Sequence, residues 1–333
     1  MIGSQLIGPG IPTSRIVGRT VLGALLLLIV VGAVNARAQT AATDASAAPA
    51  QITAPKSRAD CERIYRPEVG QPGKDVIWVP TPDELVTKLL KMARVNAQDL
   101  VVDLGAGDGK IAIAAAREFG ATSIGIEYNP DLVRLAQCMV GVEGVTGKAR
   151  IIHGDIFKED FSQATVVTMY LLPELNLCIR HRLLAMKPGT RLASHQFTLG
   201  DWDADDSFDL EYRTALQWIV PARVGGNWLL RATGGETYSV ELRQNFQKVT
   251  GDISSGSVRQ PLVGAKLRGN SLRFAFNDNK GVTRTFTGTV QGAELNGVLR
   301  GAGGQVIATG SLSGEAAAAP WATMAPHCER FYQ

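Results

Sequence analysis

The sequence predicts an α/β fold, with a parallel sheet covered on both faces, followed by an all-β end. Three observations carry that expectation. From Asp99 to about Ser194 short apolar runs alternate with longer helical ones, the pattern of strands joined by crossover helices. The run Val101-Val102-Asp103-Leu104 closes on Gly105-Ala106-Gly107-Asp108-Gly109 and leads straight into Ile111-Ala112-Ile113-Ala114-Ala115-Ala116, which reads as a buried strand turning into a packed helix. From Tyr238 onward the helical period is lost, and short alternating stretches are separated by Gly and Asn turns.

Taken in order, the chain opens on a targeting pattern. Arg15 and Arg19 precede an apolar run over 21–34, and Ala36-Arg37-Ala38 then gives the small-x-small spacing of a signal-peptidase site. The run is shorter than the roughly 20 residues of a comfortable membrane span. The expectation is a signal over 1–38, cleaved after Ala38 to give an exported, periplasmic protein; the alternative is an uncleaved anchor through 21–34 with membrane association. Residues 39–58, rich in Ala, Thr, Ser and Pro, read as a disordered linker.

The α/β domain is expected over 59–235. A helix over 82–93 starts behind Thr81 with Pro82 at its first position. Strands are expected at 100–104, 123–126, 149–153, 165–170 and 191–194, with a helix after each of the first four; Met186-Lys187-Pro188-Gly189 ends the last of these helices. Beyond Gly200 an acidic loop, Asp201-Trp202-Asp203-Ala204-Asp205-Asp206, leads to strand-like stretches at 216–221 and 228–230. A β-rich domain over 236–316 follows, then a tail over 317–333. In it an apolar-x-Gly-x-apolar unit recurs around Gly251, Gly288, Gly297 and Gly310. That spacing points three alternate residues to one face and marks the middle one for close backbone approach, as in a small meander or barrel.

Composition narrows the function. At 333 residues, 45% hydrophobic and 20% charged, the chain is long enough for two domains with a sizeable core. A net charge of +3 implies no polyanionic partner, so a nucleic acid substrate is not supported. Four cysteines do not make a disulfide scaffold at this length. Cys138 and Cys178 fall in expected helices and read as small buried hydrophobes, whereas Cys61 and Cys328, near the two ends, could pair in an exported protein. No spacing of Cys or His suggests a metal.

Ligands of an open parallel sheet bind outside the carboxyl ends of its strands. The residues expected there are Asp103 through Gly109, Glu127, Asp155, Tyr170 and His195. Glycines at that turn let backbone approach a ligand, and Glu127, ending Ile124-Gly125-Ile126, supplies a carboxylate for ribose hydroxyls. The dinucleotide spacing G-x-G-x-x-G fails, because counting from Gly105 its third glycine falls on Lys110. Asp155 suits the amino group of an adenine and Ile156 its ring face. Tyr170 is the candidate catalytic residue, placed to orient a nucleophile, and His195 titrates near neutrality but reads as structural.

Together Trp78-Val79-Pro80-Thr81-Pro82, Asp103-Leu104-Gly105-Ala106-Gly107-Asp108-Gly109, Gly125-Ile126-Glu127-Tyr128-Asn129-Pro130, Tyr170-Leu171-Leu172-Pro173 and Lys187-Pro188-Gly189 resemble bacterial class I S-adenosylmethionine-dependent methyltransferases related to the ATP synthase c-subunit lysine N-methyltransferases. The resemblance covers about 75–201. It implies a Rossmann-like seven-stranded fold, with S-adenosylmethionine held by Asp103, Gly105, Ala106, Gly107, Glu127, Tyr128, Asp155 and Ile156 and covered by Pro80 and Thr81. It implies methyl transfer by in-line displacement to an acceptor the sequence does not identify, a protein lysine in the eukaryotic relatives. Two other classes remain open: an exported scaffold that binds a nucleoside without turnover, and an NAD-dependent oxidoreductase.

Overall fold

A computed structural model describes residues 54–333. The signal-like segment 1–38, with its apolar run 21–34, and the linker as far as residue 53 lie outside the described residues. Among the described residues no helix is long and apolar enough to cross a membrane.

The α/β part opens with α1 (Arg58–Ile64) and α2 (Asp83–Met92), the latter capped by Pro82. The chain then runs β1 (Leu100–Leu104), α3 (Lys110–Phe119), β2 (Thr122–Glu127), α4 (Pro130–Val142), β3 (Ala149–His153), β4 (Val166–Met169), α5 (Pro173–Leu184) and β5 (Arg191–His195). A hairpin, β6 (Asp206–Leu210) and β7 (Arg213–Ile219), completes a sheet of order β3-β2-β1-β4-β5-β7-β6, parallel except at β7 and β6. Because side chains alternate along a strand, Val101 joins Leu85, Leu89 and Ala115 on one face while Val102 joins Leu175, Ile179 and Leu183 on the other.

Two stretches depart from expectation. No helix follows β3: residues 154–165 form a loop that buries Phe157 and Phe161, with Asp155 Oδ1 accepting the Phe157 amide at 2.9 Å. Gly154, Asp160 and Ser162 leave no helical period there to bury. Strand β6 was not expected because it is an edge strand whose residues are almost all exposed, which removes the alternating signal.

The cysteines also pair differently. Cys61 bonds Cys138, and Cys178 bonds Cys328, so the expected Cys61–Cys328 bridge is absent and neither helix cysteine is unpaired. The first bridge fastens α1 to α4; the second fastens the C-terminal tail to α5. The tail then stacks Phe331 on Phe157 at 5.0 Å. Sequence spacing carries no sign of this, because the tail reaches α5 only once the second domain has returned the chain to the first.

The second sheet begins at β8 (Gly226–Ala232), ahead of residue 235, since Trp228 and Leu230 face its own core. It continues as β9 (Thr237–Asn245), β10 (Lys248–Ser255), β11 (Val258–Pro261), β12 (Val263–Arg268), β13 (Ser271–Asn277), β14 (Thr283–Gln291), β15 (Glu294–Gly301) and β16 (Gly304–Ser313). All neighbours are antiparallel, in the order β11-β10-β9-β8-β16-β15-β14-β13-β12. The sheet curls until Leu262, just before β12, donates its amide to Gly251 of β10 at 2.9 Å, a nearly closed barrel filled by Tyr238, Phe274, Phe276 and Phe286. Two of the repeated glycines pair across β14 and β15, Gly288 with Gly297. A Cβ on either would lie within 3.0 Å of the tip of the Phe286 ring, so the bare backbone makes room for the central aromatic. Phe246, from the turn between β9 and β10, stacks on Trp202 at 5.7 Å and ties this barrel to the first core.

Candidate active site

The carboxyl ends of β1 to β5 open on a cavity of about 220 Å³. All of Pro80, Thr81, Asp103, Gly105, Ala106, Gly107, Glu127, Tyr128, Asp155, Ile156 and Tyr170 line it. His195 does not line it; it lies behind the wall, 1% exposed.

The glycine turn is a rigid piece. Gly105, Gly107 and Gly109 have φ of 76°, 55° and 79°, values a side chain disfavours. The amides of Gly105 and Ala106 both donate to Ile126 O, at 3.0 and 2.9 Å, and that of Gly107 donates to Glu127 Oε2 at 2.8 Å. The turn therefore offers a ligand close approach of its backbone rather than these three donors. A Cβ on Gly107 would stand 2.8 Å from Trp78 Nε1, so the indole already uses the space on that side. Glu127 is as much a brace as a ligand: its second oxygen accepts the Asn129 amide at 2.8 Å, and the remaining lone pairs can meet ribose hydroxyls.

Asp103 is 2% exposed and accepts from Thr168 Oγ at 2.6 Å. Burial pushes its carboxyl up to about 7, against the Thr168 bond and with help from the charges of Asp108 and Glu127. Asp108 is raised as well, chiefly by burial. Among the described residues Asp103 has no cationic partner. A buried carboxylate without a counter-charge, beside a turn that admits close approach, fits the ammonium of a nucleoside bearing an amino acid; S-adenosylmethionine has that group.

A cover closes the other side. The chain bends back on itself through a bridge between Pro72 and Ile77 and a bond from the Trp78 amide to Gln71 O, and its residues 71–81 line the cavity. At its tip Lys74 bonds Asp155 Oδ2 at 2.8 Å and lies 5.0 Å from the centre of the Tyr128 ring. Burial works against the charge of Lys74, but the bond to Asp155 holds it above the ordinary lysine range. Asp155, expected to be free for an adenine, is thus shared with a lysine. At its other end the cover is pinned: Thr81 Oγ1 meets His195 Nδ1 at 3.1 Å, and Lys110 bonds Thr81 O at 3.1 Å and Asp83 at 2.8 Å.

Beyond β4 and β5 the wall turns apolar. The Tyr170 ring packs on His195 with centroids 3.8 Å apart, and Phe197 faces Tyr170 at 6.1 Å and 21°. Burial and the charge of Arg213 bring His195 down to about 4, and burial raises the Tyr170 hydroxyl. Lys74 and Phe197, which also line the cavity, are not among the residues expected from sequence. Asp108, inside the expected glycine turn, lines the cavity as well; Phe197 stands two residues past a strand end, where the strand-end rule stops looking.

Comparisons with known proteins find similar methyltransferase sequences. Residues 103–206 match a family model described as the ANTKMT methyltransferase domain. A protein-lysine N-methyltransferase of Saccharolobus islandicus is 41% identical over 138 residues, which are 41% of this chain and 86% of that protein. The human ATP synthase c-subunit lysine N-methyltransferase is 33% identical over 129 residues, which are 38% of this chain and about half of that protein, 54%. Among solved structures, an RNA methyltransferase from Salinibacter ruber in complex with S-adenosyl-L-homocysteine has 44% identity, covers 44% of this chain and 96% of its own, and aligns with a TM-score of 0.43.

Proposed function

This chain belongs to the S-adenosylmethionine-dependent methyltransferases, in the family of the Saccharolobus protein-lysine N-methyltransferase, and from that premise we propose that its acceptor is the side-chain amine of a protein lysine. The observation that carries the reading is the division of one cavity into a carboxylate-bearing half, at the ends of β1 to β3, and an apolar half at the ends of β4 and β5. The strand order β3-β2-β1-β4-β5-β7-β6 supports the seven-stranded class I arrangement.

In this reading Asp103 holds the ammonium of the cofactor, Glu127 its ribose, and Asp155, Ile156 and Tyr128 its adenine, while Gly105, Ala106 and Gly107 admit it closely and Pro80 and Thr81 cover it. When bound, S-adenosylmethionine supplies a methyl group on a cationic sulfur, which a neutral amine displaces in line, the S–C bond breaking as the N–C bond forms. The protein contributes alignment and exclusion of water. Tyr170 orients the incoming amine, and the apolar wall favours its neutral form. No dedicated base is assigned.

We also read the protein as exported with residues 1–38 removed. Two disulfides support this, since cytosolic reductants keep such pairs open. A mature N-terminus at Gln39, read by mass spectrometry, is the expected result.

Incubation of the full chain with methyl-labelled S-adenosylmethionine and either β-casein or total RNA tests the acceptor. Label on casein lysines is expected. Label confined to RNA would overturn the lysine reading.

A further inference from the structure

Just past β5 the backbone adopts a conformation that holding the cofactor does not require. Gln196 has a φ of 71°, left-handed for a residue with a side chain, and the Phe197 amide bonds back to His195 O at 2.9 Å, closing a three-residue turn. Strained backbone of this kind persists only where its surroundings fix it. Here they do. The Gln196 amide donates to Thr214 O at 2.7 Å, and the Thr214 amide donates to Gln196 Oε1 at 3.2 Å. Ser194 Oγ donates to Phe197 O at 2.7 Å. Asn176, fully buried on α5, donates its amide to Phe197 O at 3.2 Å and to Thr198 O at 3.1 Å.

The product of all these bonds is the position of one ring. Phe197 stands half-buried on the cavity wall, nearly parallel to Tyr170 and 6.1 Å from it, and Tyr170 is itself backed by His195. The neighbours on this side are Leu171, Leu172 and Leu175, whereas Asp103, Glu127 and Asp155 close the strands on the other half. If the ribose and adenine lie over β2 and β3, the reactive end of the cofactor points across β1 toward the two rings.

We propose that Tyr170 and Phe197 form one wall of the slot that receives the acceptor, and that Phe197 is the residue selecting an unbranched alkyl amine. This rests on the lysine reading above. The physical case is that four methylene groups need flat apolar walls, and that a wall without a carboxylate gives no support to the ammonium form. Aromatic faces also stack nucleobases, but a nucleic acid would want cations at the entrance. In the adjoining recess Arg330 is paired with Glu174, and Asp75 with Lys74 of the cover, so its lining offers a phosphate no unpaired cation.

The test uses the full chain in wild-type, Phe197→Ala, Phe197→Tyr and Gln196→Gly forms, with calorimetry of S-adenosylhomocysteine and methyl transfer to β-casein read on lysine. Phe197→Ala should keep S-adenosylhomocysteine affinity within twofold and raise KM for casein at least tenfold, with a smaller change in kcat. Phe197→Tyr should restore most of the KM. Gln196→Gly, which removes the strain and keeps the main-chain bond to Thr214 O but loses the side-chain acceptor of the Thr214 amide, should keep S-adenosylhomocysteine affinity within twofold. An unchanged KM in Phe197→Ala overturns the slot alone. Binding of S-adenosylhomocysteine with no lysine labelling by the wild type overturns the lysine reading and the slot with it.

Discussion

Glu127 accepts the Gly107 amide at 2.8 Å from the far side of the glycine turn, so the carboxylate that would meet the ribose also sets the shape of the loop that admits the cofactor. The same side chain holds the start of α4 through the Asn129 amide. Substitution at this one position therefore acts on binding twice.

Glu127→Gln puts an NH₂ group where one of two backbone amides now donates to a carboxylate oxygen. One donor is left facing another donor, at a cost of about 1–3 kcal/mol for a buried unpaired group. S-adenosylhomocysteine affinity should fall at least tenfold in calorimetry, with a lower melting temperature in the absence of ligand. Unchanged affinity would remove Glu127 from the site.

Asp103 and His195 give the fold opposing pH dependences. The Asp103 carboxyl lies at about 7 in the folded protein, above its unfolded value of 3.8, so its contribution to stability is complete below about 4 and is lost as pH rises toward 7. The His195 imidazole lies at about 4, below its unfolded 6.5, so its contribution is complete above 6.5 and is lost as pH falls toward 4. In wild type the two slopes offset between pH 4 and 6.5. Denaturant melts of Asp103→Asn should show stability rising over that interval, and His195→Asn should show it falling. Parallel profiles in the two variants would contradict these environments.

The charge on Asp103 also predicts how ligand binding depends on pH. An ammonium brought against it favours the ionised carboxyl, so binding releases the proton that burial retains. Affinity for S-adenosylhomocysteine should therefore increase from pH 5.5 to 8 in wild type, by about tenfold if the carboxyl moves from about 7 to below 6. In Asp103→Asn affinity should be weaker and nearly flat with pH. Calorimetry in buffers of different ionisation enthalpy reads the released proton directly.

Each disulfide closes a long loop, 77 residues between Cys61 and Cys138 and 150 between Cys178 and Cys328. Loop-closure entropy assigns each about 4–5 kcal/mol. Thermal melts with and without a reductant should differ by more than 10 °C. The pair Cys61→Ser with Cys138→Ser should weaken S-adenosylhomocysteine binding more than the pair Cys178→Ser with Cys328→Ser, because α1 leads into the cover over the cavity.

The Gly288–Gly297 pair gives a control remote from the cavity. A Cβ at residue 297 would lie 2.4 Å from Thr287 O, so Gly297→Val should destabilise the barrel by about 1–3 kcal/mol. Ligand affinity at 10 °C should stay within twofold of wild type.

By itself the sequence determined the elements whose signal is local. Strand β1 falls where the valine run stands, β3 at the expected 149–153, and the positive φ values of Gly105, Gly107 and Gly109 fall on glycines already marked by their spacing. Asp103, Glu127, Asp155 and Tyr170 were legible because an open parallel sheet gathers its strand ends on one side, whatever the rest of the chain does. Tertiary structure decided what depends on partners far apart in the chain. Lys74 meets Asp155 across 81 residues, and Cys178 meets Cys328 across 150. Phe197 enters the cavity because Asn176 and Thr214 hold a turn that Gln196 would not adopt alone. No periodicity encodes such contacts: they arise when packing brings together side chains whose own neighbours in sequence give no hint of the meeting.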